Sequence, residues 1–208
     1  MKSNIRKTPL IITAFLLLSP SIIFAQVEQE QTQSKSIVTD NIQYLNIPER
    51  PTNAPSGSAF AKQVWNLGIE EREKAVVKEF LFGNVPSFSR TLKAITFYQT
   101  IDDCSYVVSI YALCDYLAIG SDEDYFYIPL TPAIAQHLAD KLDCILPTQK
   151  LVDVIYDQAD IKLKPQPIAP SDAMATVPVF WQHTDSIQQQ FMQLGLERHA
   201  DKIVGGTK

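Results

Sequence analysis

LKAITFYQTIDDCSYVVSIYALCDYLAIGSDEDYFYIPL, Leu92 to Leu130, decides the fold. Apolar residues alternate with polar or ring-bearing ones along it. Ile95, Phe97 and Ile101 share one face, as do Tyr106, Val108 and Ile110; Leu117 and Ile119, then Phe126, Ile128 and Leu130, continue it. A period of two is the signature of a half-buried strand, because successive side chains leave a strand on opposite sides. Asp102-Asp103 and Gly120-Ser121-Asp122 interrupt the alternation with turn formers. Short acids bond their own backbone, and glycine accepts positive φ without steric cost. The stretch predicts an antiparallel meander of four short strands.

Helix signals flank it. Upstream, Ser56 or Ser58 caps a helix carrying Phe60, Val64, Trp65 and Leu67, which Gly68 ends. Glu70 to Phe82 forms a second helix. Three glutamates in its first turns suit the positive end of the helix dipole, and Ala75, Val76 and Phe80 form its apolar stripe. Downstream, Thr131-Pro132 is a capping hydroxyl followed by Pro at the first helical position, leading into the stripe Ile134, Leu138, Leu142. Pro147-Thr148 opens another helix. Pro165, Pro167 and Pro170 mark an extended strap. Val177 to Trp181 reads as a short buried strand or strap, and Thr184 as the cap of a last helix with Ile187, Phe191 and Leu194 inward. The class expected is α+β: an antiparallel β-meander with helices packed on one face.

The N-terminus has the pattern of a cleaved export signal. Lys2, Arg6 and Lys7 precede an apolar run from Leu10 to Leu18, Pro20 breaks it, and Ala25 offers a small residue before a cut. Residues 1–25 are thus read as a signal peptide, 26–57 as a flexible polar leader and 58–208 as a single α+β domain, truncated at its C-terminus because Gly205-Gly206-Thr207-Lys208 stops in mid-element. Removing three cations takes the formal net charge from −5 to −8. So acidic a chain lacks the basic patch that nucleic acid or an anionic membrane surface demands. The expected location is periplasmic or secreted, with no membrane insertion after cleavage.

The segment from Asp115 to Ile168, DYLAIGSDEDYFYIPLTPAIAQHLADKLDCILPTQKLVDVIYDQADIKLKPQPI, resembles the centre of a family of exported bacterial proteins of unknown activity. The resemblance extends to Gly83–Phe88, to Val177–Phe180 and to the closing Gly205-Gly206-Thr207-Lys208. It implies export and a further segment bearing His, Tyr and Asp, and it carries no reaction with it.

Two constellations are candidates for a site. If the apolar parity faces the helices, Tyr98, Tyr111, Tyr116, Tyr125 and Tyr127 fall on the opposite face. A row of such rings offers flat apolar area with polar tips, which suits a sugar or peptide. In a four-stranded meander the first and third turns lie at one end of the sheet, bringing together Asp102, Asp103, Asp122, Glu123 and Asp124. Five carboxylates there make Ca²⁺ the one metal candidate, although the spacing is not that of an EF-hand loop, and no other cofactor is expected.

Cysteines and histidines point less clearly to chemistry. Cys104 and Cys114 bracket one strand, whose ends lie roughly 30 Å apart at about 3.3 Å per residue, far beyond the ~7 Å a disulfide allows. All three cysteines, Cys144 included, are expected reduced. His137 reads as a half-buried packing residue, and His183 as a ring that Asp185 could orient. The motifs HExxH, GxSxG, CxxC and the P-loop are missing from the sequence.

The function expected is a glycan- or protein-binding module of the cell envelope, its partner an envelope glycan or an exported protein. The alternatives are an envelope hydrolase completed beyond residue 208 and a purely structural partner of another exported protein.

Overall fold

The computed structural model describes residues 41–206, together with the backbone of residues 14–18 and 21–29. The class is α+β with antiparallel sheets. Strands β1 (Ala14–Leu18) and β2 (Ser21–Gln29) pair with each other. The remaining residues of the expected signal segment, 1–13, 19 and 20, lie outside the described residues. Strand β3 (Ile42–Tyr44) follows, then helices α1 (Gly57–Val64) and α2 (Ile69–Leu81).

The long hairpin comes next: β4 (Thr91–Ile101) and β5 (Cys104–Leu113), in register from Leu92↔Leu113 to Ile101↔Cys104. Its sheet has the order β1-β2-β5-β4-β3. Pairing between β2 and β5 runs from Gln26↔Ser109 to Gln29↔Tyr106, so a cut after Ala25 would leave that register intact.

The expected four-stranded meander divides in two. After Leu113 the chain bends, and Asp115 accepts a hydrogen bond from the N–H of Tyr116 through its own carboxylate at 2.7 Å. Strands β6 (Ala118–Gly120) and β7 (Tyr125–Tyr127) therefore form a short hairpin in a sheet of their own. Helices α3 (Pro132–Lys141) and α4 (Gln149–Asp157) follow; the Thr148 hydroxyl accepts from the N–H of Leu151 at 3.4 Å, whereas Thr131, at the N-cap position of α3, donates its hydroxyl to Glu73 at 3.1 Å instead of capping the helix. Strand β8 (Ile161–Lys162) pairs in parallel with β9 (Val204–Gly205), and α5 (Val177–Gln193) lies between them in the chain.

Both faces of the long hairpin are covered at its inner end. One face contributes Leu92, Tyr111 and Leu113 to a core with Phe60, Phe80 and Phe126. The other contributes Ile95, Ile110 and Ala112 to a core with Ile155, Ile187 and Phe191. Helices are thus distributed over both sides of the hairpin rather than gathered on one. Burying each large side chain of this kind stabilises the fold by about 1.5–3 kcal/mol. Phe97 packs with Ile95 and Ile110 against the second core, whereas Phe126, with Leu117, Ile119 and Ile128, is buried in the first, so the apolar face expected to run on from the long hairpin is split between the two cores.

Residues 42–57 are docked on the domain. Leu45 is buried in the first core. Arg50 donates to Asn84 Oδ1 and to the carbonyls of Gly120, Ala54 and Pro55 at 3.0–3.1 Å. One arginine therefore ties this segment to the short hairpin and to the end of α2. Residues 30–40 lie outside the described residues.

Residues 177–181, expected as strand or strap, are the first turns of α5. Thr176 is its N-cap position and Pro178 sits at its start, where a missing N–H costs no helical bond. Thr184 is consequently interior to the helix. Its hydroxyl donates to the carbonyl of Phe180 at 3.0 Å and accepts from the N–H of Tyr127 at 3.2 Å, fastening α5 to β7.

Candidate functional site

The bend at Asp115 introduces a buried ion pair. The Asp115 side chain is fully covered, and Arg198, from the segment after α5, pairs with it. Tyr127 Oη donates to Asp115 at 2.6 Å and accepts from Arg198 at 2.5 Å, and Arg198 Nε donates to Tyr125 Oη at 3.1 Å. The guanidinium carbon stands 4.4 Å from the ring centres of Phe88 and Phe191, with Tyr125 and Tyr127 at 5.2 and 5.6 Å. Burial alone would lower the pKa of Arg198, but the Asp115 charge and the two phenols raise it above the usual arginine range. The Tyr127 phenol is pushed well up by burial and by Asp115. The guanidinium thus stays charged and the phenol neutral, which is what the hydrogen-bond pattern demands.

Tyr127 has a second neighbour. Its ring forms part of the wall of a cavity of about 230 Å³. The short hairpin supplies Leu117 and Ile128, α5 supplies Val179 and Phe180, and the Pro-rich strap closes the cavity with Ile168 and Met174. Tyr116 and His183 bring the polar groups. An apolar recess with a few converging polar side chains is the usual form of a small-molecule site. Behind it, Arg72 lies over the ring of Phe180, its guanidinium carbon 5.1 Å from the ring centre, and donates to the carbonyl of Ala175 at 3.0 Å, which pins the strap to α2. Arg72 Nε is buried without a hydrogen-bond partner among the described residues. A second recess, where Ile161 and Leu196 stand beside Asp160, His199 and Lys202, is more open. Its Asp160 already holds Lys93 at 2.7 Å and the N–H of Ile203 at 2.8 Å.

The five tyrosines do not make one open face. Tyr98 is exposed, while Tyr111, Tyr125 and Tyr127 are buried and Tyr116 is half-buried. The alternation places Tyr111 away from Ile110, but both faces of this sheet are packed, so the ring enters the first core. Tyr125 and Tyr127 face the second core and the ion pair. Only Tyr116 and Tyr127 reach the cavity.

The acidic turns do not converge either, since they belong to two separate sheets. Asp102 and Asp103 occupy the exposed turn of the long hairpin with φ of 47° and 61°. Asp124 accepts from the N–H and hydroxyl of Ser58 at 2.8 and 2.6 Å. Asp122 accepts from the same two groups of Ser87, each at 2.7 Å. Glu123 is exposed beside them. Among the described residues no group of three or more His, Cys, Asp or Glu side chains is placed to hold a metal ion.

All three cysteines are free thiols, with Cys104 exposed. Burial pushes the Cys114 and Cys144 thiols up to about 12, so neither is a thiolate nucleophile near neutrality. His137 is exposed rather than half-buried. Asp185 accepts from Gln189 at 2.5 Å; on a helix it lies two residues from His183, a spacing whose side chains do not face each other.

Comparisons with protein-family models, curated proteins and solved structures gave no match to this chain. Its site is therefore read from its own geometry. Sequence reasoning missed Arg198, whose partner Asp115 is 83 positions away. The available signal was the single acid at a break in alternation, Cys114-Asp115-Tyr116, where a buried turn needs a charge partner from elsewhere. Among the described residues no helix is long and apolar enough to cross a membrane.

Proposed function

We propose that the protein is an exported binding module of the cell envelope and that its ligand site is the cavity between the short hairpin, α5 and the strap. The observation that carries this reading is the recess itself: about 230 Å³ of apolar wall with Tyr116 and His183 set into it. A concave, mostly apolar recess with a few converging polar groups is the usual form of a small-molecule site. The site moves from the tyrosine-bearing sheet face to this cavity because three of the five rings are consumed by packing. Export rests on the N-terminal pattern of Lys2, Arg6, Lys7 and the apolar run before Ala25.

The test is to express the full chain with its own N-terminus, fractionate the cells and recover the protein from the envelope or medium. Native mass spectrometry of that material, before and after organic extraction, should show a small molecule that leaves on extraction. Protein that stays in the cytoplasm refutes export. Exported protein that is bare, and remains bare after incubation with an envelope extract, refutes the binding reading.

A further inference from the structure

The cavity also indicates the class of its guest, an inference that rests on the binding reading above. We infer that it takes a neutral aryl group carrying one hydrogen-bonding substituent. Size comes first. A dry cavity of about 150 Å³ lined by aliphatic and aromatic side chains accepts benzene, and this one is about half as large again. One ring with a substituent, or two fused rings, is the scale that fits.

Charge comes second. The wall contains no Lys, Arg, Asp or Glu. The phenol of Tyr127, which could otherwise meet a polar guest, is engaged by Asp115 and Arg198. A charged guest would lose its hydration without a counterion, which is costly. The Arg198 guanidinium behind Tyr127 is neutralised by Asp115, and that of Arg72 lies against the ring of Phe180.

The third consideration is shape chemistry. Tyr116, Tyr127, Phe180 and His183 put four rings around the space, with the thioether of Met174 beside them. Aromatic pairs gain from edge-to-face and offset contacts beyond area alone, and a thioether favours a ring edge. A phenol and an imidazole each have donor and acceptor capacity, so Tyr116 and His183 can bond a hydroxyl on the guest beside any bond each makes within the chain.

Three probes separate these requirements by isothermal titration calorimetry on the full chain: 1-naphthol (aryl, neutral), 1-octanol (aliphatic, neutral) and 1-naphthoate (aryl, anionic). Saturable one-to-one binding of 1-naphthol is expected, with 1-octanol and 1-naphthoate each at least about tenfold weaker. Val179→Trp, which fills the space from α5, should reduce 1-naphthol affinity about tenfold or more. Because that residue sits in a helix packed on the core, Ile168→Trp on the strap is the second filling variant, and circular dichroism with the thermal midpoint verifies that each is folded. Preference for 1-octanol overturns the aryl assignment and leaves the binding reading standing. Preference for 1-naphthoate overturns neutrality and directs attention to Arg72. If 1-naphthol binds but neither folded variant weakens it, the cavity is not its site and the inference fails. If no probe binds while native protein still releases an envelope molecule, the class alone is wrong; if it releases none, both readings fall.

Discussion

The two hairpins of this chain carry similar turn chemistry and use it in opposite ways. The long hairpin, β4–β5, ends in Asp102-Asp103 out in solvent, where the acids serve only the backbone conformation of the turn. The short hairpin, β6–β7, has three residues per strand, all buried, and its turn acids clamp Ser58 and Ser87 from distant elements. A long hairpin has ten paired positions to hold its register and needs little from its turn. A hairpin with three pairs is marginal by itself, so it borrows order from the ion pair, from Arg50 and from the starts of neighbouring segments. Acidic turns that look alike in sequence thus differ in what depends on them, and substitutions can measure the difference.

The largest effect should come from the ion pair. Arg198→Met leaves Asp115 buried without its partner, and removal of one member of such a pair destabilises by about 3–5 kcal/mol. Adding Asp115→Asn should recover much of the loss. The matching ion pair on the long hairpin, Lys93 with Asp160, is about one quarter exposed on each side, so Lys93→Met should cost less than about 1 kcal/mol. Urea denaturation of the wild type and these three variants decides it. Equal losses for Arg198→Met and Lys93→Met would mean that the short hairpin does not depend on its buried charges.

Backbone fit at the short turn comes second. Gly120 has φ +127°, and a Cβ there would stand 2.3 Å from the carbonyl oxygen of Asp124 and 2.6 Å from the nitrogen of Gly57. Both obstacles are main chain, so Gly120→Ala should cost about 1–3 kcal/mol. The thermal midpoint should fall while the far-ultraviolet spectrum persists. A neutral result would show that the close approach of α1 to this turn is dispensable.

The next effect is a dependence on pH. Burial alone would raise the Asp124 pKa, but hydrogen bonds from Ser58 and Ser56 outweigh it and hold the carboxyl below its ordinary 3.8. The folded chain therefore binds this proton less readily than the unfolded chain. The stabilisation is present above the unfolded pKa and is lost as pH falls through the folded one. Asp124→Asn should cost about 1–2 kcal/mol near neutrality. Between about pH 5 and pH 2 its stability should fall less steeply than that of the wild type. Parallel curves would separate Asp124 from the acid response.

Local signals made most of the elements legible. Thr131-Pro132 and Thr148 announce α3 and α4 because helix-start signals are local: proline at the first helical position in one, a hydroxyl three residues before the N–H it caps in the other. The parity of Ile95, Phe97, Val108 and Ile110 marked one shared face of the long hairpin, because alternation is a property of neighbouring residues. At Thr176-Val177-Pro178 the capping signal was equally present, but the apolar cluster Val177, Val179, Phe180 imitates a buried strand, and the helix was missed. What lies on the second face of a sheet cannot be read from its alternation, since a ring that faces solvent and one that faces a second core have the same parity; Tyr98 and Tyr111 are those two cases. The cavity joins three segments, and the ion pair joins Asp115 to a tail beyond α5. Both are products of tertiary packing that a one-dimensional pattern does not contain.

The smallest effect is the one that tests the comparison most directly. Asp102 and Asp103 both have positive φ in a two-residue connection between the paired Ile101 and Cys104. That geometry matches the tight turn in which Asn-Gly and Asp-Gly are favoured. A non-glycine residue there bears a left-handed penalty that glycine avoids. Asp103→Gly should therefore stabilise the chain, by about 0.5–1 kcal/mol, whereas Asp124→Gly in the short turn should destabilise it through loss of the Ser58 contacts. Opposite signs for one substitution in two acidic turns would establish that the first serves backbone geometry and the second serves tertiary contact. A loss of stability on Asp103→Gly would mean that its carboxylate is bound to something after all, and a titration with Ca²⁺ would then be the measurement to make.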